Sequence, residues 1–198
     1  MRVILEETYD NISEWVSLYI KYAINKHNSE TKLENEPKPF ILGLPTGSTP
    51  LQVYKNLVNY YQNGQLSFKN VITFNMDEYV GLSPENEQSY HYFMYHNFFN
   101  HIDIPRENIH ILDGLATDLK EECDSYEFII SEYGKIDLFL CGVGSDGHIA
   151  FNEAGSSLSS RTRLKTLSDE TINDNSRFFD NINDVVAESD LKHQMLFA

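Results

Sequence analysis

The sequence predicts an α/β fold, a mainly parallel open sheet with helices on both faces, and three observations predict it. Short apolar runs at Phe40 to Leu44, Val71 to Asn75 and Ile136 to Cys141 each lead into a turn and then a helical or glycine-rich stretch, the rhythm of a parallel sheet with crossover helices. The three runs all release polar loops, which is where open α/β sheets bind ligands. A chain of 198 residues, 41% apolar and 13% aromatic, can bury one substantial core and is expected to form one domain.

Taken in order, Asn11 to His27 carries Ile12, Trp15, Val16, Tyr19 and Ala23 on one face, an amphipathic helix with Asn11 as its cap and Glu14 placed to reciprocate. Residues 28 to 38 are polar and read as a loop. The first strand, Phe40 to Leu44, runs into Pro45-Thr46-Gly47-Ser48-Thr49-Pro50. Leu51, Tyr54, Leu57, Val58 and Tyr61 follow at helical spacing, with Gly64 as a stop. Ser48 or Thr49 is placed to cap this helix, with Pro50 at its first position. The second strand, Val71 to Asn75, passes through Met76-Asp77-Glu78-Tyr79 to a loop and then the aromatic-rich stretch Ser89 to Phe99. The third, Ile136 to Cys141, enters the glycine-rich Gly142 to Gly147. There is no internal repeat, coiled coil or low-complexity segment.

Thirty acidic residues against fifteen basic ones give a formal charge of −15, which disfavours nucleic acid and anionic membranes as partners. An anionic substrate therefore needs a local basic pocket. The cysteines, Cys123 and Cys141, are too few for a disulfide framework, and Cys141, ending an apolar run, is expected to be a buried free thiol in a reducing compartment. The first residues turn acidic too soon for a signal peptide and no apolar run approaches membrane-spanning length, which makes a cytoplasmic location the expectation.

Five features bear on possible chemistry. Thr46, Gly47, Ser48 and Thr49 supply hydroxyls and open backbone N–H groups at a helix N-terminus, where the dipole favours a phosphate; an ordinary capped turn is the plainer alternative. Gly142 to Gly147 has the G-x-G-x-x-G spacing, but no clear helix follows and no acid ends a second strand at the expected distance, which argues against a dinucleotide. Asp146, His148 and Glu153 lie together on that loop, where carboxylates can tune an imidazole for proton transfer. A metal site is the weaker chemical reading, since no second histidine stands nearby in a ligand spacing, and a turn-capping Asp146 beside a hydrogen-bonded His148 is the structural one. Asp77 and Glu78 follow a buried strand, so at least one carboxylate should sit at the sheet's rim, partly desolvated and with a raised pKa available for base chemistry. Finally Arg161, Arg163, Lys165 and Arg177 form a basic cluster in an acidic chain, suited to phosphate or to surface ion pairs.

Together these segments closely resemble the glucosamine-6-phosphate deaminase family. The resemblance is carried by Leu42-Gly-Leu-Pro-Thr-Gly-Ser-Thr-Pro50, Thr73-Phe-Asn-Met-Asp-Glu-Tyr-Val-Gly-Leu82, Ser89-Tyr-His-Tyr-Phe-Met94, His101-Ile-Asp-Ile104, Gly142-Val-Gly-Ser-Asp-Gly-His-Ile-Ala-Phe-Asn-Glu153, Ser156-Ser-Leu-Ser-Ser-Arg-Thr-Arg163 and Ser176-Arg-Phe-Phe-Asp180. It implies a Rossmann-like sheet of the sugar-phosphate isomerase type. It also implies an amino-sugar catabolic enzyme, classed as a hydrolase, that turns glucosamine 6-phosphate and water into fructose 6-phosphate and ammonia without a metal or organic cofactor. His148 would open the sugar ring, oriented by Asp146 and Glu153, and Asp77 would move the proton from C2 to C1. Thr46, Gly47, Ser48, Thr49 and Arg177 would hold the phosphate. Allosteric members are hexamers with an intersubunit site for N-acetylglucosamine 6-phosphate, matched here by Ser156, Arg163, Lys165 and Thr166.

The resemblance runs to about position 181, which divides the chain into a deaminase/isomerase domain at 1–181 and a divergent tail at 182–198. Family members continue beyond this length, so the sheet is expected to be incomplete at its C-terminus, and such a chain marginally stable and weakly active alone. Two other functions fit parts of the pattern. A 6-phosphogluconolactonase-like enzyme would share the fold, the phosphate loop and the histidine but has no need of a base at C2. A catalytically impaired sugar-phosphate binder, or a partner of complete subunits, would keep the loops without the turnover.

Overall fold

The computed structural model describes residues 2–31, 38–144, 147, 149, 152, 156, 157, 159–166 and 194–197. Helix α1 spans Tyr9–Thr31 and buries Ser13, Ser17, Ile20 and Ile24, a stripe at helical spacing. It begins two residues before the expected start, and Thr8 rather than Asn11 caps it, its hydroxyl accepting from the Asn11 N–H at 3.1 Å. It also runs past His27 into the stretch read as loop. The buried face is rotated from the one expected, leaving Tyr19 exposed, because small hydroxyls let α2 approach closely: Ser17 Oγ accepts from Asn56 Nδ2 at 3.2 Å.

Strand β1, Phe40–Leu44, and strand β2, Val71–Asn75, are buried at every position and pair in parallel, Phe40 opposite Val71 through Leu44 opposite Asn75. Between them α2, Leu51–Gln62, packs Val53, Tyr54 and Leu57 inward and ends with Gly64 at φ 67°, a conformation that suits glycine at this stop. The expected cap is corrected: neither Ser48 nor Thr49 bonds the first turn with its side chain, and Pro50 is the N-cap rather than the first helical residue. A short β3, Asp77–Tyr79, leaves β2 after Met76; α3 is Tyr90–Asn97, β4 Ile109–His110, α4 Leu119–Tyr133 and β5 Leu138–Phe139. The sheet order is β4-β2-β1-β5, parallel throughout.

The alternation of β1 divides the core. Phe40, Leu42 and Leu44 meet α1, α2 and α3 on one face, where Tyr54 stacks on Phe98 at 4.9 Å between ring centres and Phe68 meets Phe98 edge-on. Ile41, with Ile72 and Phe74 of β2, meets Cys123 and Tyr126 of α4 on the other. Helices therefore cover both faces, as parallel strands require.

Two further differences separate structure from expectation. The third strand shrinks to Leu138–Phe139 at the sheet's edge, and Cys141, beyond it, is exposed rather than buried. A second, antiparallel sheet also appears, ordered β3-β7-β6, with β6 at Arg163–Thr166 and β7 at Gln194–Phe197 within the segment read as a divergent tail. Residues 182–193 lie outside the described residues. No described helix is long and apolar enough to cross a membrane.

Gly114 closes against β3. Its carbonyl accepts from the Gly81 N–H at 2.8 Å, and a Cβ added at Gly114 would stand 2.1 Å from the Tyr79 carbonyl oxygen. A Cβ on Gly43 meets the Phe139 ring at 2.4 Å, but that ring is 41% exposed at the sheet edge and can turn aside. Gly114→Ala is therefore expected to cost about 3 kcal/mol and Gly43→Ala about 1 kcal/mol, read from urea unfolding midpoints. The reverse order would mean that the backbone around Tyr79 yields more easily than the Phe139 side chain.

Candidate active site

The loops at the carboxyl ends of β1 and β2 emerge side by side because the two strands are parallel neighbours in register. Asn75, the last residue of β2, donates from Nδ2 to the Leu44 carbonyl at 3.2 Å and so ties the two ends together. Two residues on stands Asp77.

Asp77, expected at the sheet's rim and partly desolvated, lies in the short strand β3 and is only 4% exposed. Its Oδ1 has no hydrogen-bond partner among the described residues. Burial, and then the neighbouring Glu78 charge, push its pKa well above the ordinary carboxylate value. Tyr54, Tyr79, Tyr90 and Tyr126 stand around it, and each of these phenols is raised by its own burial and further by the Asp77 charge. A carboxyl held among phenols, with no cation beside it among the described residues, holds its proton more tightly than an ordinary carboxylate and is a stronger base once ionised.

Glu78 has a different task. Its Oε1 accepts from the N–H groups of Tyr79 and Tyr90 at 2.8 and 2.9 Å, and its Oε2 from that of His91 at 2.8 Å. Ser89 Oγ takes the Tyr92 N–H at 3.0 Å, so the opening of α3 is satisfied by a side chain on β3 and one on its own cap. Burial raises Glu78 to about 7 against the pull of those three amides, with Asp113 adding to the rise. The sequence offered no sign of this bond across twelve residues; a carboxylate after a strand and a Ser cap further on are compatible with many turns.

The phosphate-loop candidates lie close by. The Thr46 side chain stands beside the Tyr90 hydroxyl, and the hydroxyl of Tyr54, on α2, donates to the Pro45 carbonyl. Gly47 has φ 90°, a backbone state its missing side chain permits. Ser48 and Thr49 are exposed. Thr46 and Thr49 line a cleft of about 270 Å³ with Tyr9 and Val16 of α1 and with Cys141 and Gly142 beyond β5. The structure thus brings the Thr46 to Thr49 loop together with Asp77, through Tyr54 and Tyr90.

Asp146, His148, Glu153 and Arg177 lie outside the described residues, while Gly142 and Gly144, which lead into their loop, are described. Of the basic cluster, Arg161 pairs with Glu127 of α4 at 3.1 Å, and the same carboxylate accepts from the N–H and hydroxyl of Thr162, both at 2.8 Å. Arg163 donates to Asn152 Oδ1 at 2.7 Å. On β6 Arg163 and Lys165 alternate with Leu164 and Thr166, and Ser156 is half-buried. Among the described residues no group of His, Cys, Asp and Glu is arranged to hold a metal ion.

A family model described as glucosamine-6-phosphate isomerases/6-phosphogluconolactonase matches residues 6–168. The glucosamine-6-phosphate deaminase of Glaesserella parasuis serovar 5 is 59% identical over 181 residues, 91% of this chain and 67% of that protein. The one from Treponema denticola is 59% identical over 191 residues, 96% of this chain and 69% of that protein. A solved monomeric glucosamine-6-phosphate deaminase superposes with a TM-score of 0.86 at 36% identity, covering 100% of this chain and 75% of that one. The 6-phosphogluconolactonase of Trypanosoma brucei superposes at 0.71 with 16% identity and shares the fold alone. The chain spans about two thirds of the length of the curated relatives it matches. The hydrolase class expected from the sequence is corrected by these names, which place the chain among deaminases in an isomerase family. Its physical reason is that a base shuttling a proton between neighbouring carbons is isomerase chemistry.

The buried carboxyls give the fold a pH dependence of definite sign. The folded protein holds the Asp77 proton more tightly than the unfolded chain does, so this group's contribution is full below its ordinary pKa of 3.8 and is lost as pH rises through the raised value. Glu78 loses its contribution likewise between 4.5 and about 7. Asp77→Asn keeps the shape and removes the charge. It is expected to raise the unfolding free energy, read from urea titrations, more at pH 9 than at pH 5, by about 1 kcal/mol or more at the higher pH. An equal shift at both pH values would show that the Asp77 charge is not a burden on the fold.

Proposed function

Since the chain belongs to the family of glucosamine-6-phosphate isomerases and 6-phosphogluconolactonases, we propose that it acts on glucosamine 6-phosphate as a deaminase, yielding fructose 6-phosphate and ammonia. The observation that carries the proposal is Asp77, a carboxyl 4% exposed, without a partner on Oδ1 and raised in pKa, one strand away from a loop suited to a phosphate. Moving a hydrogen from C2 to C1 of an open-chain sugar requires one base to serve two adjacent carbons. A carboxylate does this with its two oxygens, and desolvation brings its basicity closer to what carbon acids demand. A lactonase needs no such group, and the curated relatives at 59% identity carry the deaminase name.

In the same proposal Thr46 to Thr49 and Arg177 hold the phosphate, and His148, flanked by Asp146 and Glu153, opens the pyranose ring. These roles rest on the family resemblance. The effector site for N-acetylglucosamine 6-phosphate at Ser156, Arg163, Lys165 and Thr166, the oligomer that would build it and a cytoplasmic location belong to this reading too. A solved relative is described as monomeric, so oligomeric state is to be measured rather than carried over.

With glucosamine 6-phosphate as substrate, Asp77→Asn is expected to lower turnover by about a hundredfold or more while affinity for the sugar phosphate changes only a few-fold. Ammonia release gives the rate, and solvent deuterium entering C1 of the product reports the proton transfer itself. Deuterium uptake at the original rate in the variant would take the base assignment away from Asp77.

A further inference from the structure

Helix α2 opens with no side chain of its own on the first turn. The group that serves there comes from 43 residues earlier: the Gln52 N–H donates to the Tyr9 hydroxyl at 3.2 Å. That hydroxyl donates in turn to the Thr49 carbonyl at 2.9 Å, with the Ser48 carbonyl at 3.3 Å. The Pro45 carbonyl, at the loop's other end, is taken by the Tyr54 hydroxyl. Two phenols thus hold three of the loop's carbonyl oxygens.

The orientation of the amides follows from the peptide plane. In a trans peptide the C=O and the following N–H point in opposite directions, and the described chain contains no cis peptide. With the Pro45 carbonyl drawn to Tyr54, the Thr46 N–H faces away from it. With the Ser48 carbonyl drawn toward Tyr9, the Thr49 N–H faces away from α1. Among the described residues no backbone acceptor is paired with the N–H of Thr46, Gly47, Ser48 or Thr49. Carbonyl oxygens left free in such a loop would repel an anion; here those of Pro45, Ser48 and Thr49 are occupied, and the Thr46 and Thr49 donors face the other way.

We propose that Tyr9 is a positioning residue for phosphate binding, its hydroxyl bridging α1 to the Ser48–Thr49 turn and the start of α2 so that the loop's amide donors stay turned to the ligand. The inference rests on the phosphate role proposed above for Thr46 to Thr49. Tyr9 touches the loop's backbone through its hydroxyl. Its ring is 48% exposed and lines the same cleft as Thr46 and Thr49, so removing the oxygen alone should leave the core intact.

The test compares the unchanged protein with Tyr9→Phe by calorimetric titration with inorganic phosphate and by steady-state kinetics on glucosamine 6-phosphate. Loss of this bridge is expected to weaken phosphate binding roughly three- to tenfold and to raise KM in the same proportion, with a much smaller effect on kcat. Thermal unfolding, followed alongside, should shift by only a few degrees. Equal phosphate affinity and equal KM in the two proteins would overturn the role of Tyr9 while leaving the deaminase proposal in place. A fall in kcat with unchanged phosphate affinity would overturn it as well, because the residue would then act on the chemical step. If the unchanged protein binds no phosphate, the loop assignment fails and this inference fails with it.

Discussion

The parallel pairing of β1 with β2 is the constraint from which the rest of the molecule follows. Five residue pairs in register, all buried, cannot be solvated on either side, and helices must lie on both faces. Parallel strands also end at the same edge. Pro45 and Met76, more than thirty residues apart in the chain, therefore emerge as neighbours, and a glycine-bearing turn and a carboxylate meet without any sequence motif joining them. The Asn75 side chain, reaching back to the Leu44 carbonyl, makes that meeting rigid.

What the sheet gains in order it spends partly on charge. Asp77 and Glu78 stand side by side in a nearly dry strand, and the structure treats them differently. Glu78 is given three amides and serves as a strut for α3. Asp77 has an oxygen with no partner among the described residues and sits among phenols that are themselves hard to ionise. A side chain optimised for stability would not be left in this state, and the proposed exchange of a proton at Asp77 is a task for which this state is suited.

The parts of this arrangement legible in the sequence are those fixed by local pattern. Phe40 to Leu44 and Val71 to Asn75 stand out as apolar runs bounded by turns, and Asp77 stands out because it follows one of them. Strand β3 was not legible: Asp-Glu-Tyr has no strand-like alternation, and its pairing partner, β7, lies more than a hundred residues away. The α2 cap was misread for the same reason, since Tyr9 serves it from a distant element, as Glu78 serves α3, whereas sequence reasoning looks for a cap next door. Cys141 misled because an apolar run says nothing about its place in a sheet. Ile136 to Cys141 falls at the edge, where only Leu138 and Phe139 keep a ladder with β1.

That edge position has a practical side. The sequence holds two thiols, Cys123 and Cys141, and the fold separates them: Cys123 is buried on the sheet-facing side of α4 with its pKa raised by burial, and Cys141 opens onto the cleft shared with Thr46 and Thr49. A maleimide or an environment-sensitive dye will therefore reach one position in the native protein and leave the other alone. The molecule carries its own attachment point for an optical reporter at the mouth of its site, and occupancy can be followed as a change in emission without introducing or deleting a single residue.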